Sequence, residues 1–305
     1  GTTVLELRGV RKRFGTVQAV DQMDITVQDG AIFGLIGPNG SGKTTTMRMI
    51  LHILEPDEGS ITWQGRPVRE VAAREFGYLP EERGLYPRMT VRDELRFFAA
   101  LHGVSGPQLE HEIDVWLQRL MGDEAAKKVE DLSKGNSQKV QFLAAVLHRP
   151  SLLVLDEPFS GLDPVNVQLL KEAVRELRDR GTTILFSSHR MDHVQELCTH
   201  LCLIKTGRIL LQGSREEVLA SSGRRFLRLT LADPQSLDAL IQRMPSLRGA
   251  SRSKGSLEAE VTGDLDPQEV LRQALEVGQV ERFEVGPPSL EQIYIELVGK
   301  EAVAP

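Results

Sequence analysis

Eight consecutive residues, Gly37-Pro38-Asn39-Gly40-Ser41-Gly42-Lys43-Thr44, carry the densest chemistry in this chain. They complete the pattern G-x-x-x-x-G-K-[ST]. Glycines at this spacing let backbone N–H groups turn toward one point and wrap a phosphate chain. Lys43 has the reach to meet the β- and γ-phosphates of a nucleoside triphosphate, and the Thr44 hydroxyl can bind Mg²⁺. An apolar run, Ile32-Phe33-Gly34-Leu35-Ile36, precedes the pattern, and a helix-like run from Thr44 to Leu54 follows it. Strand, loop and helix in that order place the loop at a helix N-terminus, whose partial positive charge favours anions. A second candidate is Asp156-Glu157, directly after the apolar run Leu152-Leu153-Val154-Leu155. So short and apolar a run is expected for a strand buried on both faces of a parallel sheet. Ligands of open α/β sheets bind at the carboxyl ends of strands. One carboxylate there can hold Mg²⁺, usually through water, and its neighbour can orient or deprotonate an attacking water.

The rest of the chain must position these groups. At 305 residues, with 40% hydrophobic and 26% charged residues, it has length for about two globular domains. No run approaches 18 consecutive apolar residues, so no membrane-spanning segment is expected. A net charge of −6 argues against a broad nucleic-acid-binding surface. Cys198 and Cys202 flank His200, too few ligands for a closed zinc shell. Buried, reduced thiols are expected, as suits a reducing cytoplasm. Strand-like segments at 4–10, 25–36, 61–63, 76–79, 152–155 and 183–186 alternate with helix-like segments at 90–101, 108–121, 137–148, 165–179 and 191–198. A hairpin over 201–212 closes the series. That alternation argues for an α/β core over residues 1–220. Ser221-Ser222-Gly223 reads as a hinge. Beyond it, residues 224–305 predict strand, helix, two strands, helix, strand and a last helix. That order suggests a small ferredoxin-like α+β domain.

Further short motifs resemble those of ABC ATPases, in the family's order across residues 4–220. Leu132-Ser133-Lys134-Gly135-Asn136 resembles the signature loop, and Ser160-Gly161-Leu162-Asp163 the D-loop. His189 matches the switch histidine, and Phe14 the aromatic residue that stacks on adenine. The resemblance implies a P-loop NTPase with a mixed sheet and a helical subdomain over about 88–150. It implies that Phe14 stacks on adenine and that Gly37, Pro38, Asn39, Gly40, Ser41, Gly42, Lys43, Thr44 and Thr45 cradle the phosphates of ATP. Asp156 would support Mg²⁺ beside Thr44. Glu157 would be the general base, and His189 would contact the γ-phosphate and the attacking water. Ser133 and Gly135 would touch the nucleotide of another subunit, with Asp163 nearby, so ATP is buried between two chains, identical or not. The chain departs from the family pattern at Lys134, Asn136 and Glu81, where Gly, Gln and Gln are usual. Glu81 is expected to serve Mg²⁺ in place of that glutamine.

Pro80-Glu81-Glu82-Arg83-Gly84-Leu85-Tyr86 and Pro288-Ser289-Leu290-Glu291-Gln292-Ile293-Tyr294 resemble sodium-efflux-type ATP-binding subunits that pair with ABC-2 export permeases. The resemblance therefore implies an ATPase coupled to export through a separate integral-membrane permease. It would sit in the cytoplasm, peripheral to the inner face of the membrane. Leu85, Tyr86 and Met89 are candidates to face the permease. The alternative is a soluble ABC ATPase acting in translation or DNA metabolism.

Overall fold

β1 (Thr3–Phe14) and β2 (Val17–Gln28) form a long antiparallel hairpin. Period-two alternation in β2 buries Met23, Ile25 and Val27 and leaves Gln22, Asp24 and Thr26 exposed. The expected strand over 25–36 is two strands. Asp29 and Gly30 turn the chain, Gly30 at φ +71, and β3 (Ile32–Ile36) enters a different sheet. The break follows from a left-handed backbone position that glycine takes without strain. The computed structural model describes residues 1–82 and 84–303, so Arg83 of the 80–86 stretch lies outside the described residues.

After β3 come α1 (Lys43–Ile50), β4 (Glu58–Trp63), β5 (Arg66–Pro67) and β6 (Phe76–Leu79). A helical segment follows: α2 (Val91–Leu101), α3 (Pro107–Leu120) and α4 (Lys134–Val146). The chain then returns through β7 (Leu152–Leu155), α5 (Pro164–Asp179), β8 (Thr183–Ser188), α6 (Met191–Leu197), β9 (His200–Lys205) and β10 (Arg208–Ser214). One sheet has the order β2-β1-β4-β5. The other runs β10-β9-β3-β8-β7-β6. In the second, β9, β3, β8, β7 and β6 are parallel, and β10 returns antiparallel beside β9. All four residues of β7 are buried, as are all six of β8. Parallel strands need crossovers, and these crossovers cover both faces. The carboxyl ends of β3, β7 and β8 therefore meet at one edge. They carry the 37–44 loop, Asp156-Glu157 and His189 respectively.

Compactness divides the chain at Arg215/Glu216, within α7 (Arg215–Ala220). The second unit contains β11 (Phe226–Leu231), α8 (Pro234–Arg243), β12 (Ser251–Ser253), β13 (Ser256–Glu260), α9 (Pro267–Val277), β14 (Val280–Gly286) and α10 (Leu290–Val303). Its antiparallel sheet has the order β12-β13-β11-β14. This is the expected ferredoxin-like arrangement. Lys254 and Gly255, both at positive φ, turn β12 into β13. Leu227, Leu229, Leu257, Leu237, Leu240 and Val270 form a core of its own. Asp233 and Asp266 cap α8 and α9, each followed by a proline in the first helical turn.

Candidate functional site

A cleft of about 520 Å³ opens at that shared sheet edge. Asn39, Gly40, Gly42, Lys43, Thr44 and Thr45 line it with Glu81, Asp156 and Glu157. The loop takes its shape from glycines. A Cβ at Gly37 would lie 2.3 Å from the Ile204 carbonyl oxygen, and Gly42 sits at φ +105 with Ala19 O only 2.6 Å from a Cβ. Larger residues would force this turn open. Gly42 precedes α1, which has no side-chain cap, so no side chain satisfies the first N–H groups of the helix. Ser41 Oγ is buried and has no hydrogen-bond partner in the described structure. A buried hydroxyl without a partner fits a ligand oxygen there.

Two linked networks join the loop to the strand ends. Thr44 Oγ1 donates to Asp156 Oδ2 at 2.8 Å, and Ser187 Oγ donates to Asp156 Oδ1 at 2.6 Å. Ser187 Oγ in turn accepts from the Glu157 backbone N–H at 2.9 Å. Lys43 Nζ donates to the Gly37 carbonyl oxygen and stands 3.2 Å from Glu157 Oε1. His189 Nδ1 lies 3.0 Å from the same oxygen. Side chains of Lys43 and Glu157 are each only 5% exposed, so each charge depends on the other. Glu157 also holds φ 49, a left-handed value that is strained for a residue with a side chain. Such strain persists where the surrounding contacts over-determine the backbone, and it clusters at functional sites.

The sequence-predicted residues separate into those that meet in this cleft and those that do not. His189 reaches it through Glu157. Phe14 ends β1, pairs across the hairpin with Val17 and leaves its ring 47% exposed; Val17 is a cleft residue. Ser133, Gly135 and Asp163 do not line the cleft of their own chain. Ser133 is the N-cap of α4, accepting from Asn136 N–H at 3.2 Å. α4 thus begins at Lys134, three residues before the expected 137, because a serine cap outweighs the weak helix propensity of Gly135. A Cβ at Gly135 would meet Asn166 Nδ2 at 2.5 Å. Asp163 caps α5, accepting from Asn166 N–H at 2.9 Å, and this bond holds its carboxyl below the usual range. Ser187 was not anticipated. Ser187 lies inside an apolar strand with no motif of its own.

A separate apolar groove of about 420 Å³ is lined by Leu51, Ile53, Tyr78, Leu85, Phe98 and Leu101 among others. Leu85 is one of its walls. Tyr86 lies outside it and packs edge-on against Phe97 at 5.4 Å, and Met89 is not among the lining residues. Buried Glu94 anchors this loop, accepting from Tyr86 N–H at 2.6 Å. Cys198 and Cys202 are free and buried, and burial pushes the Cys202 thiol up. Among the described residues, no helix is long and apolar enough to cross a membrane.

This fold and cleft define a P-loop ATP-binding cassette followed by a small α+β domain. The ABC transporter family model matches residues 20–160, and the model described as ATP-binding protein DrrA1-3-like, C-terminal domain, matches residues 213–298. The uncharacterised ABC transporter ATP-binding protein YhaQ of Bacillus subtilis (strain 168) is 46% identical over 97% of this chain and 99% of its own length. Nod factor export ATP-binding protein I of Cupriavidus pinatubonensis is 34% identical over 98% of this chain and 92% of its own. A solved structure of an ATP-binding subunit of an ABC transporter superposes with TM-score 0.67 at 29% identity, covering 72% of this chain and 94% of that one. The chain belongs to the ABC transporter ATP-binding subunits.

Proposed function

We propose that this chain hydrolyses ATP as one half of a pair of cassettes and drives export through a separate membrane permease. The observation that carries this is the Lys43–Glu157–His189 cluster standing beside Thr44–Asp156 in one cleft. ATP lies with its phosphates in the 37–45 loop, where backbone N–H groups and the Ser41 hydroxyl donate to them. Thr44 Oγ1 and Asp156 Oδ2 are hard oxygen donors on adjacent elements, a set that fits Mg²⁺, with Glu81 on the same cleft wall. Mg²⁺ held by these oxygens would neutralise phosphate charge. Phosphate oxygens compete with Glu157 for Lys43. Glu157, so released and still oriented by His189, takes a proton from water as its oxygen bonds to the γ-phosphorus. The bond from that phosphorus to the bridging oxygen breaks, leaving ADP and phosphate. Phe14 beside the cleft wall stacks on adenine.

Ser133 and Gly135 open α4 away from their own chain's cleft, so we assign them, with the Asp163 turn, to the nucleotide of a second subunit. A helix N-terminus is a fitting anion site there. The groove beside Leu85 suits an apolar segment of the permease, which would hold the chain at the cytoplasmic face of the membrane. Relatives named as export ATP-binding proteins favour this reading over a soluble factor acting on ribosomes or DNA. Glu157→Gln tests the chemistry. Turnover should fall by about 10²-fold or more while ATP still binds, and size exclusion with ATP and Mg²⁺ should show a dimer. Unchanged turnover would overturn the assignment of the base.

A further inference from the structure

Lys171 on α5 is 3% exposed, an uncommon place for an ammonium, and no step of the ATPase reading uses it. Its Nζ donates to Glu196 Oε2 on α6 at 2.7 Å, and Glu196 Oε1 takes Arg175 at 3.3 Å. The Lys171 bond holds the Glu196 carboxyl below its usual 4.5. The same ammonium stands 5.9 Å from the centre of the Phe159 ring. Phe159 lies two residues after Glu157 and is itself buried. Its ring meets Phe186 of β8 at 6.2 Å and His193 of α6 at 5.6 Å. Lys171, Phe159, His193 and Glu196 thus form a closed ring that ties α5 and the segment after Glu157 to α6.

The helix held by this ring is the one directly behind His189. α6 has seven residues and no side-chain cap. So short a helix is not stable alone, and its place is set by what it packs on. Its floor is apolar: a Cβ at Gly34 would lie 2.8 Å from Val194 Cγ1, so glycine is what lets α6 approach β3 so closely. Apolar contact is non-directional and does not by itself fix the register of α6 on the sheet. A charged hydrogen bond is directional and does. An ion pair taken out of water adds little stability over an apolar pair of the same volume, so stability alone does not account for a buried lysine here. His189 precedes α6 by two residues, and its Nδ1 stands 3.0 Å from Glu157 Oε1.

We propose that Lys171 is a positioning residue for hydrolysis: through Glu196 and Phe159 it sets α6, and with it His189, against Glu157. This rests on the ATPase reading given above. A shift of α6 carries the imidazole away from the carboxylate it orients, and a misplacement of about 1 Å can cost about 10²-fold in such a step. Neither Lys171 nor Glu196 lines the nucleotide cleft, so ATP binding is spared. α5 begins at the Asp163 cap, so the turn assigned to the second subunit's nucleotide is joined to the same clamp.

The experiment compares steady-state ATP hydrolysis by the unaltered full chain and by Lys171→Met, which keeps length and loses the charge. kcat should fall by about tenfold or more while KM for ATP stays within about twofold. Lys171→Arg, which can still reach Glu196, should recover most of the rate. Glu196→Ala breaks the pair from a half-exposed side chain and should match Lys171→Met, so the test stands even where the buried substitution fails to fold. A merely structural role would multiply with loss of the histidine. A positioning role would not, so in His189→Ala the added Lys171→Met should change turnover by less than about twofold. Unchanged kcat in Lys171→Met and Glu196→Ala, or an equal fold-loss with and without His189, would overturn the proposal. A normal rate in His189→Ala would overturn the role given to that histidine in the ATPase reading, and this inference with it.

Discussion

At the scale of single residues, Asp156 is held from two sides. Thr44 donates to one carboxylate oxygen and Ser187 to the other. Removing Ser187 should disturb Mg²⁺-dependent binding as well as folding. Ser187→Ala takes one hydrogen bond from an Asp156 oxygen and one from the Glu157 N–H, so unfolding in denaturant should show a loss of about 1–3 kcal/mol. Weaker Mg²⁺ dependence of ATP binding should accompany it; a variant of unchanged stability and Mg²⁺ response would show that Ser187 does not brace Asp156. Glu81 offers a second test. Glu81→Gln removes a charge from the cleft wall, and ATPase assays across Mg²⁺ concentrations should give a shifted optimum. An unchanged profile removes Glu81 from the metal site. Lys43 and Thr44 were legible because a motif fixes their spacing, and Asp156 and Glu157 because they follow a short apolar run. Ser187 was not, because a serine in a strand carries no periodic or motif signal until β8 is placed beside β7.

At the scale of elements, caps and burial decide what the helices can present. Ser133 is both the α4 cap and a residue assigned to a neighbouring nucleotide. Ser133→Ala should lower stability by about 1 kcal/mol. ATP-driven dimerisation, read by size exclusion, should fall far more than that loss explains. β7 is buried throughout, so Leu153→Ala should cost about 2–5 kcal/mol in equilibrium unfolding, depending on how far the site collapses. The α2 segment carries a pH signature. Burial pushes the Glu94 carboxyl above its usual 4.5, against a smaller opposing effect of the Tyr86 N–H bond. Between 4.5 and that raised value, the folded chain holds a proton the unfolded chain has lost. Stability should therefore fall as pH rises through this window and level off above it. Glu94→Gln should remove that slope in urea unfolding at stepped pH; a retained slope would assign it to another group. The capped helix starting at Thr90 could be read from sequence, since Thr90 accepts from Asp93 N–H as the spacing suggests. The buried state of Glu94 could not, because charge pattern alone places a glutamate at the surface.

At the scale of the whole molecule, two compact units each own a hydrophobic core. Limited proteolysis in the Ser221-Ser222-Gly223 stretch should release two folded fragments, since domain boundaries fall in small, polar segments. Circular dichroism of each purified fragment checks this, and an unfolded second fragment would mean that its core needs the first. Order along the chain was readable for both units, because alternating strands and helices leave few topologies for a parallel sheet. The break at Asp29-Gly30 was marked by an Asp-Gly turn dipeptide within an otherwise strand-like run, but only pairing assigns the two halves to different sheets.

By itself, the sequence determined a phosphate-binding loop, a carboxylate pair after a buried strand, a family and a two-part chain. Local patterns suffice for these, because loop geometry, strand burial and helix capping depend on residues a few positions apart. Tertiary structure alone decided that Lys43, Glu157 and His189 share one oxygen, and that Ser187 braces Asp156. It also decided that Ser133 and Gly135 lie outside their own cleft. Those relations join residues separated by tens to more than a hundred positions, and only the order of strands in the sheet brings them within a few ångströms.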